Sequence, residues 1–311
     1  MKKINLFIIL SILSVLSLSI GAGEITFDSD GLNLLLISRI PRLMSILIVG
    51  IGMSICGLIM QQISKNKFVS PTTGATIDCA QLGLVFTMLL IPGAGSVGKM
   101  VIAFIFAFIG SIIFMRMLRK LQYKNAILVP LIGVMFGNVI GSVTNFFAYK
   151  FNLMQSMASF MQGNFSMTLR GNYEMLYITI PLIIIAYIYA NKFTIVGMGE
   201  DFSTNLGLDY NKVLNIGLFI VSMVTASVVI TSGSIPFIGL IVPNIVSAYN
   251  GDNVSNNIWQ TGMFGAIFVL ICDIISRLLI FPYEIPIGLT IGVIGSAIFL
   301  TMIMRRNSNA S

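Results

Sequence analysis

Residues 43–63 read LMSILIVGIGMSICGLIMQQI, twenty-one positions without one charged side chain. At about 1.5 Å per residue such a run covers ~30 Å, the hydrocarbon thickness of a bilayer. A helix is the form in which a single segment satisfies its own backbone groups there. Nine further apolar runs lie near residues 4–22, 74–91, 100–118, 126–148, 175–190, 212–231, 237–249, 258–280 and 287–304. The pattern predicts an all-α, polytopic membrane protein of about ten transmembrane helices, with residues 1–311 forming one domain. The run at 237–249 is short and contains Pro243, so it reads as a half-helix or broken span. The first run follows Lys2 and Lys3 and ends in Gly21-Ala22-Gly23, as a secretory signal does. Its apolar stretch, Ile4 to Ala22, exceeds the usual signal core of about 7–15 residues, and we expect it to be retained as a helix.

Composition agrees. The chain is 56% hydrophobic and 9% charged, against about 25% charged in soluble domains. Its charge of +7 is dispersed in short clusters between apolar runs, which argues against nucleic acid as a partner and for membrane lipid. Histidine is absent, which excludes imidazole metal sites, Ser-His and Cys-His nucleophiles and imidazole proton relays. Cys56, Cys79 and Cys272 stand singly in apolar stretches and read as buried apolar residues. Nineteen methionines show no repeated spacing and read as apolar filler rather than a soft-metal path. We expect no metal, no cofactor and no catalytic residue.

If all ten runs cross and the amino terminus is cytoplasmic, the inner side collects twelve Lys and Arg residues and the outer side six. That bias places both termini in the cytoplasm. The outer residues, Arg39, Arg42, Lys99, Lys150, Arg170 and Arg277, are exceptions that require a reason.

Gly93-Ala-Gly-Ser-Val-Gly98-Lys99-Met100 nearly spells a nucleotide phosphate loop. The match fails because Met100 has no hydroxyl for Mg²⁺ and the segment joins two membrane runs rather than a strand and a helix. If the protein uses ATP, another chain must hydrolyse it. Gly133, Gly137 and Gly141, like Gly288 and Gly292, recur at four-residue spacing and read as helix-packing positions.

Asp78 and Asp273 are intramembrane acids, candidates for ion coupling in a secondary transporter. Asp273 and Arg277 are four apart on one helix and read as a structural ion pair. Arg39-Ile-Pro-Arg42 opens the second span, with both arginines on nearly one face, suited either to snorkelling or to holding a carboxylate-bearing partner. Between the sixth and seventh runs, Gly199-Glu200-Asp201-Phe202-Ser203-Thr204-Asn205-Leu206-Gly207-Leu208 predicts a short helix. Glu200 and Asp201 suit its first turn, Gly207 its stop, and Phe202 and Leu206 share one side as an apolar ridge.

Five blocks together resemble the permease subunits of ABC importers for ferric siderophores, haem and vitamin B12. They are Arg39-Ile-Pro-Arg42; Gly50-x-Gly52…Cys56-Gly57…Met60-Gln61…Asn66…Pro71; Gly199-Glu200…Leu206-Gly207; Gly233-x-Ile235-x-Phe237-Ile238-Gly239-Leu240-Ile241-x-Pro243; and Asp273-x-x-x-Arg277…Glu284-Ile-Pro286-Ile-Gly288…Gly295. They stand in the family's order and cover nearly the whole chain.

The resemblance implies a complex of two identical or related permeases, two cytoplasmic ATP-binding subunits and an extracytoplasmic substrate-binding protein in a bacterial plasma membrane. Arg39, Arg42 and Arg277 match outer-rim arginines that receive acidic residues of the binding protein. Residues 199–208 match the coupling helix, with Gly199, Glu200, Asp201, Phe202, Leu206 and Gly207 facing the ATPase. Gly50, Gly52, Ser54, Gly57 and Gln61 match part of the translocation path, and Asn244 is grouped with them. Three positions depart from the family pattern: Asn244 stands at a frequent histidine, Lys67 follows Asn66 in place of a frequent proline, and Met161-Gln162-Gly163 replaces a Trp-containing turn. The asparagine form resembles a ferric-siderophore subgroup, which favours siderophore over vitamin B12.

Overall fold

The computed structural model describes residues 3–21, 35–120, 128–166 and 168–308. Thirteen α-helices form among them: α1 (Lys3–Ser19), α2 (Ile40–Ile63), α3 (Thr76–Leu90), α4 (Ser96–Lys120), α5 (Leu128–Lys150), α6 (Met154–Met161), α7 (Thr179–Ile188), α8 (Ala190–Met198), α9 (Glu200–Asn205), α10 (Tyr210–Ser232), α11 (Ile238–Asn250), α12 (Val254–Leu278) and α13 (Ile287–Ser308). A π-helical turn, Leu35–Arg39, leads into α2, and a 3₁₀ turn, Tyr173–Ile178, leads into α7.

Five helices reach spanning length, at residues 35–63, 96–120, 128–150, 210–232 and 254–278. A sixth apolar span is the Tyr173–Ile188 and Ala190–Met198 pair, bent by 59° at its break. Four shorter apolar helices, Ile4–Ser19, Thr76–Leu90, Ile238–Asn250 and Ile287–Met302, occupy the other apolar runs. The shortfall at α11 has a local cause. Residues 233–237 after α10 are not helical, with Gly233 and Phe237 at positive φ, and α11 starts only at Ile238, leaving 13 residues with Pro243 inside. That is about 20 Å of helix, short of a full crossing.

Helix ends follow local chemistry. Pro41 sits in the first turn of α2, where its missing N–H costs nothing. The Asp209 carboxylate accepts the Lys212 amide at the start of α10, and Asn253 does the same for Asn256 at the start of α12.

The centre of the molecule is α2, whose residues are buried along most of its length. Glycines set its close contacts: Gly50 lies against the backbone of Gly265 and Ala266 in α12, and Gly57 against the backbone of Gly239 in α11. In lipid the gain from such approach is van der Waals packing over a large area, since tails are as apolar as the side chains they would touch. Gly133 likewise abuts the Thr73 carbonyl and Gly288 abuts Gly163, while Gly141 and Gly292 face open space.

Side-chain contacts define two ends. The start of α2, the end of α12 and the carbonyl end of α1 meet at one. The end of α2 and the turn before α9 meet at the other, where a Cβ on Gly199 would touch the Lys65 Nζ. In keeping with the charge count, the first is called outer and the second inner.

Candidate functional site

At the outer end the guanidinium of Arg42 is held from two sides. Its Nε and Nη2 donate to Asp273 Oδ1 at 3.2 and 2.8 Å, and its Nη1 donates to both oxygens of Glu284 at 2.9 and 2.8 Å. The Arg42 side chain keeps 14% exposure, whereas Asp273 has none. Arg277 Nη2 approaches Asp273 Oδ2 at 2.6 Å, an ion pair rather than a well-angled hydrogen bond.

The rest of Arg277 turns to α1. Its Nη1 donates to the carbonyls of Ser17 and Ile20 at 2.9 and 2.7 Å, and its Nη2 to Ser17 Oγ at 2.6 Å. Arg39 Nη1 donates to the Leu18 carbonyl at 2.6 Å. Two cations thus cover the carbonyl end of α1, where the helix dipole is negative and carbonyls lack intrahelical partners.

Glu284 lies in the turn between α12 and α13. Burial alone would raise its pKa, but the Ser166 hydroxyl and the Arg42 charge outweigh it and hold the carboxyl below its ordinary value. Among the described residues the Asp273 and Glu284 carboxylates are matched by the Arg42 and Arg277 guanidiniums, with Arg39 beside them on the Leu18 carbonyl. Beside it opens a recess of about 460 Å³ lined by Arg39, Arg42, Arg277, Ser166, Tyr283 and Glu284, among others.

Arg39, Arg42 and Arg277, expected at the outer rim, lie together at the outer end. Arg39 and Arg277 are 8% and 5% exposed, and their donors are directed largely inward, because the carbonyl end of α1 needs them. They border the recess with Arg42 instead of projecting from it.

At the inner end, α9 is set between two glycines in left-handed or related geometry, Gly199 at φ +134° and Gly207 at φ +75°. Both φ values disfavour a residue bearing Cβ. Ser203 anchors the helix, its hydroxyl donating to the Gly199 carbonyl while the residue is fully buried. Glu200 and Asp201 occupy the first turn. Phe202 and Leu206 are 47% and 57% exposed, forming the ridge that their spacing predicts.

A further inner recess of about 430 Å³ runs from the end of α2 to the α11–α12 turn, bridged by a 2.8 Å ion pair between Lys67 and Asp252. Asn244 donates to the carbonyls of Lys67 and Leu240, so it ties α11 to the turn after α2.

The residues expected along the translocation path face other helices of the chain. Gly50, Gly52, Ser54, Gly57 and Gln61 are all buried by helices of this chain. Gly52 meets Thr179 and Val224, the Ser54 hydroxyl sits against Gly265, and Gln61 approaches the Leu240 carbonyl. Small residues permit close approach by a helix as readily as by a substrate, and here helices fill the space. Sequence reasoning also missed Ser17, Ser166 and the Lys67–Asp252 bridge, none of which carries a spacing signal. Glu284 stood in a quoted block but was given no partner.

With this geometry in view, the comparisons with known proteins become specific. The family model for the FecCD transport family matches residues 6–305. The chain belongs to the FecCD transport family. It is a multi-pass membrane protein of the permease type. This FecCD member is 52% identical over 316 residues to the petrobactin import system permease YclN of Bacillus subtilis, covering all of both chains. It is 36% identical over 295 residues to the ferric-anguibactin permease FatD of Vibrio anguillarum, covering 93% of this chain and 94% of that one. A solved inward-facing metal-chelate type ABC transporter superposes with a TM-score of 0.83 at 21% identity, over 97% of this chain and 98% of the other. At that identity the likeness concerns the fold alone.

Proposed function

We propose that this FecCD permease carries a ferric siderophore across the plasma membrane as the membrane subunit of an ATP-driven importer. The observation that carries the proposal is the pairing, in one chain, of an arginine-bordered recess at the outer end with an exposed apolar helix at the other. The named substrates of its relatives, petrobactin and anguibactin, favour a siderophore over haem or vitamin B12.

In this reading ten apolar segments cross, the eighth as α11 together with the non-helical residues 233–237 before it, both termini are cytoplasmic, and two copies or related chains form the pathway between them. An acidic side chain of the loaded binding protein enters the recess, where the fork of Arg42 receives it. ATP binding and hydrolysis belong to a pair of cytoplasmic subunits. Each grips an α9 ridge, so ATPase closure moves α9 and the helices joined to it, and the central cavity changes sides. No bond of the substrate is made or broken.

Leu206→Asp tests the coupling step. It places a charge on the ridge without touching the core, since Leu206 is exposed. Expected are normal membrane insertion, uptake at background, and ATPase activity no longer stimulated by loaded binding protein. Uptake retained at the original rate would remove α9 from the coupling role.

A further inference from the structure

Lys99 ends the glycine-rich stretch that fails as a phosphate loop, and in the folded chain it borders a recess of its own. About 460 Å³ of space lies at the outer end between the start of α4, the turn after α6 and the end of α10. Ser96, Lys99, Gln162, Asn164, Asn172 and Ser232 supply its polar lining. Its size falls within the range of small-ligand pockets, about 300–1,000 Å³.

Three observations give it one electrostatic sense. Lys99 is half-buried, and none of the ion pairs among the described residues involves it. The 25-residue helix α4 begins at Ser96, so the positive end of its dipole is at the recess. Ser232 is 2% exposed and its hydroxyl has no hydrogen-bond partner, a cost that a ligand oxygen would relieve. The nearby acid, Glu174, is tied by Oε1 to the Gly171 amide at 2.8 Å and is not part of the lining.

An unpaired ammonium, a helix amino terminus, a hydroxyl and carboxamides together suit an anion rich in oxygen. Ferric chelates differ in this respect: three hydroxamates neutralise Fe³⁺, whereas each catecholate brings two negative charges. We propose that this recess is a binding site for the anionic, oxygen-rich face of a catecholate- or carboxylate-bearing ferric chelate, with Lys99 as its charge partner and Gln162 and Ser232 as hydrogen-bond partners. The proposal rests on the importer reading and adds a charge preference residing in the permease itself.

The test uses the assembled transporter in proteoliposomes, with binding protein loaded with ferric petrobactin at saturating concentration. Lys99→Glu is expected to lower uptake about tenfold or more, the scale of one charged hydrogen bond lost. Docking affinity of the loaded binding protein stays unchanged, and Lys99→Arg keeps most of the uptake. Gln162→Trp, which fills the recess without altering charge, is expected to lower uptake in the same way. Uptake by Lys99→Glu and Gln162→Trp at the original rate overturns the site. Docking lost together with uptake in Lys99→Glu overturns it too, since Lys99 would then belong to the protein interface. A Lys99 effect that vanishes when anionic lipid is left out of the bilayer assigns the recess to a phosphate headgroup and contradicts the chelate. Absence of uptake by the unaltered complex sinks the importer reading itself, a result distinct from all three.

Discussion

At the outer end Asp273 and Glu284 are paired with Arg42 and Arg277 inside the chain, whereas at the inner end Phe202 and Leu206 stand exposed on and just after a six-residue helix. The outer cluster is polar, directional and nearly satisfied, so a visitor there must exchange with bonds that already exist. That suits a partner that comes and goes. The inner ridge is apolar and unmatched within the chain, on a helix held rigid by Ser203 and two glycine turns. Exposed apolar surface beside polar surroundings marks a lasting protein contact. The contrast fits the proposed function, with reversible docking at one end and lasting coupling at the other.

The strongest way to break this comparison is to unbalance the outer cluster. Asp273 is fully buried between Arg42 and Arg277, so Asp273→Asn leaves Arg277 without its carboxylate and Arg42 with Glu284 alone. Removing one partner of such a buried pair costs about 3–5 kcal/mol. Folded yield and melting temperature in detergent are expected to fall sharply, and a variant melting like the parent would show that the cluster is not structural. The next effect is expected at Gly57, where an added Cβ overlaps the Gly239 backbone. Gly57→Val forces α2 and α11 apart at about 1–3 kcal/mol. A lower melting temperature with unchanged binding-protein docking would place this contact in the bundle rather than at either end. The most specific readout, beside the melting change from the lost Asp273 and Glu284 bonds, is expected at the recess. Arg42→Glu weakens binding-protein docking about tenfold or more, and a Glu→Lys change in the partner restores part of it. Thermal melting of the same variant separates lost docking from loss of the Asp273 and Glu284 bonds, and unchanged docking would strip Arg42 of that role.

Much of the helical architecture was legible because its signal is local. A charge-free run such as 43–63 has one stable form in lipid, and every apolar run in the sequence is a helix in the structure. The α9 ridge was legible for the same reason: acids at one end, glycine at the other and two apolar residues four apart define it without reference to the rest. What escaped was contact between distant segments. Glu284 meets Arg42 across 242 positions and Ser17 meets Arg277 across 260, and nothing in residue spacing encodes such pairs. The glycines of α2 were recognised as places of close approach, but Gly50 and Gly57 meet helices of the same chain where a passage was expected. Glycine reports nearness, not the identity of the neighbour.

The most direct measurement of the central claim is uptake of radiolabelled ferric petrobactin into proteoliposomes that contain this permease with its ATP-binding subunits. The account predicts accumulation that requires both internal ATP and external loaded binding protein and is indifferent to ion gradients. Accumulation by this chain alone, driven by a proton or sodium gradient without ATP, would contradict it and return Asp78 and Asp273 to the centre of the mechanism.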